Sequence, residues 1–277
     1  MLIAVLRLLA RLPLGLLHRA GAALGWLVYR LSPAYAARTR ENLRISGIGG
    51  IDTLLPVAVA EAGKGVTEIL KVWFGADAQI ASLVRCDEWH VVESALAKKK
   101  GIIFLTPHLG CFEIAAHYLS RRFPLTVLYR PPKQRWLEPL MNFGRQRGQT
   151  ILAPANLKGV RLLYKALQRG HAIGLLPDQA PGFGEGVWAD FFGKPAYTMT
   201  LVRRLQQSTN ASTIMVFAER LPDARGYHLH FYDALANNFD EAALNRAVET
   251  VIRKCPAQYL WGYNRFKAPA GAAPPPS

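Results

Sequence analysis

A short apolar run followed at once by a turn constrains this chain more than any other feature. Residues 101–105 read Gly-Ile-Ile-Phe-Leu, the next five read Thr-Pro-His-Leu-Gly, and a helical pattern begins at Cys111. A run of this length with β-branched residues is typical of a buried strand, and Pro with a nearby Gly is typical of a turn. The sequence therefore predicts a strand at 101–106, a turn, and a helix at 111–121.

Strand and helix patterns alternate along the rest of the chain. Further strands are predicted at 83–85, 125–129, 150–153, 171–176, 213–219 and 226–232. The other predicted helices lie at 33–45, 52–74, 88–98, 135–146, 156–168, 197–208 and 240–254. This alternation predicts an α/β fold with a mainly parallel central sheet flanked by helices. The last two strands, joined through Pro222 to Arg225, are expected to form an antiparallel hairpin.

A histidine and a carboxylate follow the first of these strands. His108 lies in the turn after it, and Glu113 lies about one turn into the next helix. Open α/β sheets place their functional sites at the carboxyl ends of strands. A carboxylate beside an imidazole fixes its tautomer and stabilises the imidazolium that forms when the other nitrogen takes a proton. Since no serine or cysteine stands at a nucleophile elbow nearby, the pair is typical of a general base acting on a substrate hydroxyl.

Two other interpretations use the same residues. His108 can be a histidine whose hydrogen bonds are satisfied in a strand-end turn, with Glu113 exposed to solvent. Glu113 and His117 stand four residues apart on the predicted helix and can join His108 at a zinc ion. A fourth ligand is not evident and the His-Glu-x-x-His order is absent, so we expect no metal here and place His117 on a helix face.

Three later features are expected near this turn. Asp178 follows the strand predicted at 171–176, so it is expected at the same edge of the sheet as His108. Arg130 ends a predicted strand and can clamp a phosphate. The glycines between 182 and 186 do not follow the strand–turn–helix pattern of a nucleotide site, so we expect a flexible lid beside the pocket.

Four segments together carry a family resemblance. They are 106–113, 128–131, 176–179 with the glycines that follow, and 258–267. In this order and at these separations they resemble the bacterial lipid A late acyltransferase family (lauroyl/myristoyl type) of the lysophospholipid acyltransferase superfamily. The resemblance runs from the apolar N-terminus to about Lys267. Cys111-Phe112 stands where the family has an Asn-Trp pair, and family members typically carry a basic residue or a histidine near Tyr263 and Asn264.

The resemblance implies an O-acyltransferase that moves a fatty acyl chain from a thioester donor, acyl carrier protein, to a hydroxyl of a lipid A precursor. It implies that His108 is the catalytic base and that Glu113 orients it, with no metal or redox cofactor. Amides opening the helix at Gly110 to Phe112 are the expected donors to the oxyanion. The expected substrate-binding residues are Gly110, Arg130, Arg145, Arg147 and Asp178. The implied location is the cytoplasmic face of the bacterial inner membrane.

Two other functions fit the same residues. An acyl-CoA-dependent acyltransferase acting on another glycolipid or lysophospholipid needs the same base and the same oxyanion donors. A lipid-binding scaffold without turnover keeps the fold and the basic charge alone. Acyl chain length, donor and acceptor depend on the depth and shape of a pocket, so the sequence leaves them open.

The formal net charge of +15 is concentrated in two parts of the chain. Residues 1–40 contain six arginines and no acid, and residues 129–170, the basic zone, contain nine basic residues and the single acid Glu138. A basic protein can bind nucleic acid, an anionic membrane or an acidic partner. The absence of a nucleic-acid fold signature argues against nucleic acid. By the resemblance, the basic zone suits the acidic surface of a carrier protein and the phosphates of the acceptor.

The N-terminal residues 2–31 are largely apolar. The polar residues that interrupt them include Arg7, Arg11, His18 and Arg19. These residues exclude both a secretory signal and a typical spanning helix, which needs about 20 mostly uncharged residues. The first three, with Ala22, recur at intervals of 4, 7 and 4 residues, which predicts one polar stripe on a helix divided near Pro13. We expect a membrane-associated helix in the interface; a short span and an ordinary buried first helix are the alternatives.

The chain divides into three parts. Residues 1–31 are the expected membrane-anchoring segment, residues 32–267 the acyltransferase domain, and residues 268–277 a disordered tail of Ala, Gly and Pro. The three cysteines, Cys86, Cys111 and Cys255, are scattered without a paired spacing. This distribution argues against a disulfide framework and is typical of a reducing compartment.

Overall fold

A computed structural model describes residues 2–132, 134–233 and 235–275. Lys133 of the basic zone and the last two residues of the predicted tail lie outside the described residues. The helices are α1 (Leu2–Leu9), α2 (Leu14–Leu31), α3 (Pro33–Ser46), α4 (Ile51–Phe74), α5 (Asp77–Ala81), α6 (Trp89–Ala97), α7 (Phe112–Ser120), α8 (Glu138–Arg145), α9 (Leu157–Gln168), α10 (Leu201–Thr209) and α11 (Glu241–Ile252). The strands are β1 (Val84–Cys86), β2 (Ile102–Leu105), β3 (Leu125–Tyr129), β4 (Thr150–Pro154), β5 (Ala172–Leu175), β6 (Gly186–Phe191), β7 (Lys194–Met199), β8 (Ser212–Arg220) and β9 (Tyr227–Tyr232).

The central sheet has the strand order β1-β9-β8-β2-β5-β3-β4. Neighbouring strands are parallel except for β8 and β9. This arrangement confirms the predicted α/β fold with a mainly parallel central sheet flanked by helices. β8 and β9 pair antiparallel across the short turn at Pro222–Ala224, as predicted.

β2 is buried on both faces because its side chains alternate between two apolar cores. Ile102 and Phe104 lie in the core that α6 and α7 cover. Ile103 and Leu105 lie in the core on the other face, which α9, α10 and α11 cover. Burial on both faces explains why this strand is a continuous apolar run instead of an alternating one. The carboxyl end of β2 is thereby held at the centre of the sheet.

The segment after the glycines differs from the prediction. We expected a flexible lid and then a helix at 197–208, whereas the structure has an antiparallel hairpin of β6 and β7 and begins α10 at Leu201. Phe192 and Gly193, at the tip of the hairpin, both have positive φ (51° and 71°). Positive φ at both central residues is typical of the tight turn that matches the twist of two paired strands. The strand at 194–199 is stabilised by its partner across the turn, so the local sequence pattern did not predict it.

The first two helices are separated at Pro13, as predicted. α2 packs closely on α4 through glycines, since a Cβ at Gly63 would lie only 2.0 Å from the carbonyl oxygen of Gly21. Residues without a Cβ allow two backbones to approach this closely. Among the described residues, no helix has both the length and the apolar character needed to cross a membrane. The membrane-associated helix therefore stays a prediction.

The packing of α2 on α4 divides the predicted polar stripe. His18 was predicted to share a polar stripe with Arg7 and Arg11, but it is 6% exposed and its Nε2 lies 3.4 Å from Oε2 of Glu68. The buried residues of α2 lie on one face of the helix and include His18. Arg7 lies over the ring of Phe143, with its guanidinium 5.4 Å from the ring centre. His18 is therefore buried because the face of α2 that carries it packs against α4.

Candidate active site

The turn after β2 and the segment after β5 meet at one edge of the sheet. β2 and β5 are adjacent and parallel, so the residues that follow them emerge side by side. The Nδ1 of His108 lies 3.0 Å from Oδ1 of Asp178, and the backbone N–H of His108 donates to Oδ2 of Asp178 at 3.0 Å. The position expected for Asp178 from the sequence is therefore confirmed. Its contact with the imidazole is closer than the sequence alone indicated.

The environment of Asp178 favours its charged form. Burial of this fully enclosed side chain raises its pKa, but the charge of His108 and the two hydrogen bonds from His108 outweigh burial and leave the pKa below its usual value. An ionised carboxylate at Nδ1 holds the proton on that nitrogen. The Nε2 of His108 is then the nitrogen that can accept a proton from a substrate.

Tyr263 also contacts the imidazole of His108, a role that was not predicted from the sequence. Its ring stacks on the ring of His108 with 5.5 Å between centres and 15° between planes. Its hydroxyl accepts a hydrogen bond from the backbone N–H of Ala180 at 2.9 Å. The segment 258–267 was identified as part of the resemblance, but no role was assigned to Tyr263. In the structure Tyr263 holds the histidine between the carboxylate and an aromatic ring.

Glu113 lies elsewhere than expected. We expected it to orient His108, but its Oε1 accepts from Nε of Arg145 at 3.0 Å and its Oε2 accepts from Nε1 of Trp73 at 3.0 Å. A second nitrogen of Arg145 also donates to Glu113, so the pair is bidentate. Since α8 ends at Arg145 beside the first turn of α7, the carboxylate is bonded to Arg145 and Trp73, and among the described residues it makes no hydrogen bond to the imidazole. Asp178 makes the contact that was assigned to Glu113.

The two arginines expected to bind an acidic partner are held inside the fold. Arg145 is bonded to Glu113, as described above. Arg147 donates to the carbonyl oxygens of Val72 at 3.0 Å and Gly75 at 2.8 Å, and it forms an ion pair with Asp77. Their side chains are 23% and 18% exposed. Because their charges are already paired, they are poorly placed to receive a carrier protein.

The residues considered as zinc ligands do not converge. The Nε2 of His117 lies 3.1 Å from Oδ1 of Asp77. Glu113 is bonded to Arg145 and Trp73. Burial lowers the pKa of His117 despite the nearby carboxylate of Asp77. His117 therefore packs α7 against α5.

Gly110 has a conformational role. Its φ is +61°, and a Cβ at this position would lie 1.9 Å from the carbonyl oxygen of Ala218. Its N–H donates to the carbonyl oxygen of Gln258 at 3.1 Å, and the N–H of Cys111 donates to that of Ala218 at 2.8 Å. Two of the three amides expected at the oxyanion thus donate within the fold. Only Phe112, at the start of α7, remains from the expected set.

A buried ionic network, called here the Arg220 network, contacts the turn after β2 through Gly110. It consists of Arg220, Glu61, Glu68, Tyr227 and His18. Nη2 of Arg220 donates to the carbonyl oxygen of Gly110 at 2.9 Å and to Oε1 of Glu68 at 2.6 Å. This network was not predicted from the sequence, because its members come from α2, α4, β8 and β9 and no local pattern links them.

Two of the cavities at this edge of the sheet lie next to His108 and α7. A pocket of about 160 Å³ is lined by His108, Phe112 and Glu113 together with residues of α4. A narrower crevice of about 90 Å³ shares Phe112 and Glu113 with it and continues between apolar residues such as Val127 and Leu175. The crevice is a suitable environment for an apolar chain that starts near the imidazole.

A larger pocket of about 710 Å³ adjoins the crevice. The two share Leu128, Tyr129, Leu175 and Leu176. The basic residues that line the larger pocket are Arg130, Arg161, Lys165 and Arg204, and they stand among apolar residues of α9 and α10. Arg130 is thus placed where the sequence analysis expected it, at the carboxyl end of β3. A pocket that is basic and apolar at once suits an anionic lipid.

Comparison with known proteins agrees with this arrangement. A family profile described as "Bacterial lipid A biosynthesis acyltransferase" matches residues 1–268. The lipid A biosynthesis lauroyltransferase of Escherichia coli (strain K12) is 27% identical, over 96% of this chain and 90% of that protein. A lipid A biosynthesis acyltransferase of Haemophilus influenzae is also 27% identical, over 96% and 88%. The lipid A biosynthesis palmitoleoyltransferase of E. coli (strain K12) is 24% identical, over 85% and 74%. Because the profile spans nearly the whole chain, this protein belongs to the bacterial lipid A biosynthesis acyltransferase family and is an O-acyltransferase.

Proposed function

We propose that this protein transfers a fatty acyl chain from a thioester donor to a hydroxyl group of a lipid A precursor. The observation that carries the proposal is the His108–Asp178 pair, which lies at the carboxyl end of β2 beside an apolar crevice and a basic pocket. The relatives named above act in lipid A biosynthesis, which supports a lipid A precursor as the acceptor.

In this mechanism His108 is the general base. Its Nε2 takes the proton of the acceptor hydroxyl while the hydroxyl oxygen attacks the thioester carbonyl. The tetrahedral intermediate collapses with cleavage of the carbon–sulfur bond, and the thiol leaves with the proton from His108. Asp178 stabilises the imidazolium between these two steps, and Tyr263 keeps the ring in place. The mechanism needs no metal or redox cofactor.

Glu113 serves the substrate side of the same pocket. It lines the pocket with His108, and Arg145 and Trp73 hold its carboxylate in one position. A fixed, paired carboxylate of this kind can accept a hydrogen bond from the acceptor and orient its hydroxyl towards Nε2 of His108. Glu113 thus remains a catalytic candidate, with a partner different from the one first expected.

The two substrates use different cavities. The acyl chain occupies the apolar crevice between α7, α8 and β3. The phosphate groups of the acceptor contact the guanidinium groups of Arg130, Arg161 and Arg204 in the larger pocket. The donor is acyl carrier protein, whose acidic surface meets the exposed residues of the basic zone. Arg145 and Arg147 are excluded from that contact because they are paired internally.

The proposal is tested by incubating the purified full-length protein with a lipid A precursor and either acyl carrier protein or CoA thioesters. Mass spectrometry of the extracted lipid should show one added acyl chain, formed faster from the carrier protein. Raising the ionic strength should slow the carrier-protein reaction, since exposed charges are screened over roughly 8–10 Å. Equal, salt-independent rates from both donors would assign the enzyme to acyl-CoA. An unchanged lipid with every donor would favour the scaffold without turnover.

The roles of the two carboxylates are separated by a pair of conservative changes. Asp178→Asn is expected to lower kcat by about 10²–10⁴. The amide can offer Nδ1 either its oxygen or its NH₂ group, so it does not fix the tautomer, and it no longer stabilises the imidazolium. Glu113→Gln is expected to raise KM for the acceptor and to lower kcat less. Both are measured by steady-state kinetics with the acceptor varied. Equal effects on kcat from both changes would restore Glu113 as the partner of the imidazole.

Membrane attachment at the cytoplasmic face of the inner membrane is also proposed for the N-terminal helices. Most of the large side chains exposed on α1 and α2 are apolar, and they include Leu8 (63%), Leu27 (53%) and Leu31 (74%). Exposed apolar patches of this kind mark membrane or protein contacts. The arginines of α1 and α2 lie on the same two helices and favour an anionic headgroup layer.

Leu8→Glu combined with Leu27→Glu is expected to weaken binding to phosphatidylglycerol vesicles by at least about 100-fold. Each leucine contributes roughly 1.5–3 kcal/mol when it is fully buried, and every 1.4 kcal/mol is about tenfold in affinity. Vesicle co-sedimentation measures the change. Leu96→Glu, at an exposed leucine of α6, is the matched control and should bind as the unaltered protein does. Unchanged binding of the double variant would place the membrane contact on the basic zone.

A further inference from the structure

Two histidines of β9 and a glutamate form a compact group outside the acyltransfer site. His228 and His230 are two residues apart on a strand, so their side chains project from the same face of the sheet. Their ring centres are 4.0 Å apart. Glu88 precedes α6 and approaches a nitrogen of each ring, because β1 pairs in parallel with β9 and the residues after β1 continue alongside it.

The distances in this group match those around a tetrahedral metal ion. Oε1 of Glu88 lies 3.3 Å from Nδ1 of His230, and its Oε2 lies 3.7 Å from Nε2 of His228. Ligands at about 2.0–2.1 Å from a tetrahedral zinc ion are roughly 3.3 Å from one another. One ligand atom from each of these side chains lies within 4.8 Å of the others. The three side chains therefore need little movement to coordinate one ion.

Two atoms in the group are buried without a hydrogen bond in the described part of the chain. Nε2 of His228 and Oε2 of Glu88 are enclosed, and neither makes a hydrogen bond among the described residues, although Oδ2 of Asp87 lies 3.2 Å from Nε2 of His228. Buried polar atoms are paired in the great majority of cases, and an unpaired atom often indicates a missing ion. The two atoms lie 3.7 Å apart. A cation between them would satisfy them together.

The second nitrogen of His230 supports the same conclusion. Its Nε2 lies 3.0 Å from Oε2 of Glu219, which places the ring proton on Nε2. The lone pair on Nδ1 then faces Oε1 of Glu88 at 3.3 Å, and the two acceptors repel each other unless a proton or a metal ion lies between them. Metal-binding histidines typically donate their other ring N–H to a carboxylate, which is the arrangement seen here.

We propose that His228, His230 and Glu88 bind one divalent transition-metal ion of the zinc type. Imidazole nitrogens favour zinc and similar ions over magnesium or calcium. Asp87 is available as a fourth ligand, since its Oδ2 lies 3.2 Å from Nε2 of His228. Three carboxylates near the site against the single guanidinium of Arg85 favour a cation. The ion would join the start of α6 to β9 and act in stability, independently of the proposed acyl transfer.

Zinc and cobalt binding to the untagged full-length protein tests this proposal. Isothermal titration with ZnCl₂ is expected to give one site per chain, and Co²⁺ should produce visible absorption bands of low coordination number. Zinc should also raise the temperature of unfolding. At a free zinc concentration of 100 times Kd, binding adds about 2.7 kcal/mol to the free energy of unfolding. His228→Ala and His230→Ala should each weaken zinc binding at least tenfold and abolish the cobalt bands.

His90→Ala is the matched control, because His90 is exposed on α6 two residues from Glu88. This variant should bind zinc as the unaltered protein does. Glu219→Gln, which keeps a hydrogen bond to His230, should bind zinc several-fold more weakly. Absence of a stoichiometric site in the unaltered protein would overturn the proposal and identify His230 as an imidazolium held by two carboxylates. Binding that survives both His228→Ala and His230→Ala would overturn it as well.

Discussion

Replacing His108 by Ala is expected to lower kcat/KM for acyl transfer by about 10²–10⁴ while the fold stays intact. Asp178 and Tyr263 jointly position the imidazole in the pocket, so its loss removes the proton acceptor. Its side chain is not part of the apolar core, and Ala leaves the backbone hydrogen bond to Asp178 in place. Single-turnover kinetics with an acylated donor measures the chemical step directly.

The matched control for this change is His171→Ala. The imidazole of His171 lies in the loop before β5, and only its backbone is used in the sheet, where its carbonyl oxygen accepts from Ile102. This variant should keep turnover within about twofold of the unaltered protein, as expected for a substitution away from the site. Circular dichroism and thermal unfolding establish that both variants are folded. A folded His108→Ala enzyme with near-normal turnover would refute the general-base mechanism.

Replacing Arg220 by Met is expected to lower the free energy of unfolding by about 3–5 kcal/mol, because it leaves buried carboxylates without a counter-charge. Arg220 is 6% exposed and contacts both Glu61 and Glu68, and Glu68 is 1% exposed. The same guanidinium holds the carbonyl oxygen of Gly110, so kcat should fall as well. Urea unfolding, followed by circular dichroism, measures the stability change.

Arg225→Met is the control, since Arg225 is exposed in the turn between β8 and β9 and its side chain contacts only the carbonyl oxygen of Pro222. Its effect should lie within about 0.5 kcal/mol. If Arg220→Met does not fold, Arg220→Lys keeps the charge and loses the fork of hydrogen bonds. The double change of Arg220 and Glu68 to Met should be less destabilising than the single change at Arg220. If the Arg220→Lys variant were as stable as the unaltered protein, the Arg220 network would not contribute to stability as proposed.

The Arg220 network also predicts how stability depends on pH. Burial raises the pKa of Glu68, but the charge of Arg220 and the contacts with His18 outweigh it and lower the pKa to about 2. A carboxylate whose pKa is lowered by folding stabilises the fold fully above its unfolded pKa of about 4.3. This contribution is lost as the pH falls from there towards 2. The Glu68→Gln variant should therefore show a smaller loss of stability across this acid range.

The order of the elements was predictable because it depends on residues close in sequence. The strand at 125–129 was predicted with the bounds that the structure has, and the break at Pro13 was predicted because proline lacks the N–H that a helix interior needs. The hairpin of β6 and β7 was not predicted. Its strand at 194–199 depends on cross-strand pairing, which a local pattern does not report.

The sequence by itself determined the α/β alternation, the placement of His108 at the end of β2 and the arrival of Asp178 at the same edge. Parallel strands end at one edge, so their order along the chain is sufficient for those three results. Only the tertiary structure decided which carboxylate holds the imidazole. Asp178, seventy residues away, makes the contact, while Glu113, five residues away, is taken by Arg145 of α8. The order of parallel strands along the chain sets which residues share an edge. The packing of α7 against α8 sets which atoms touch.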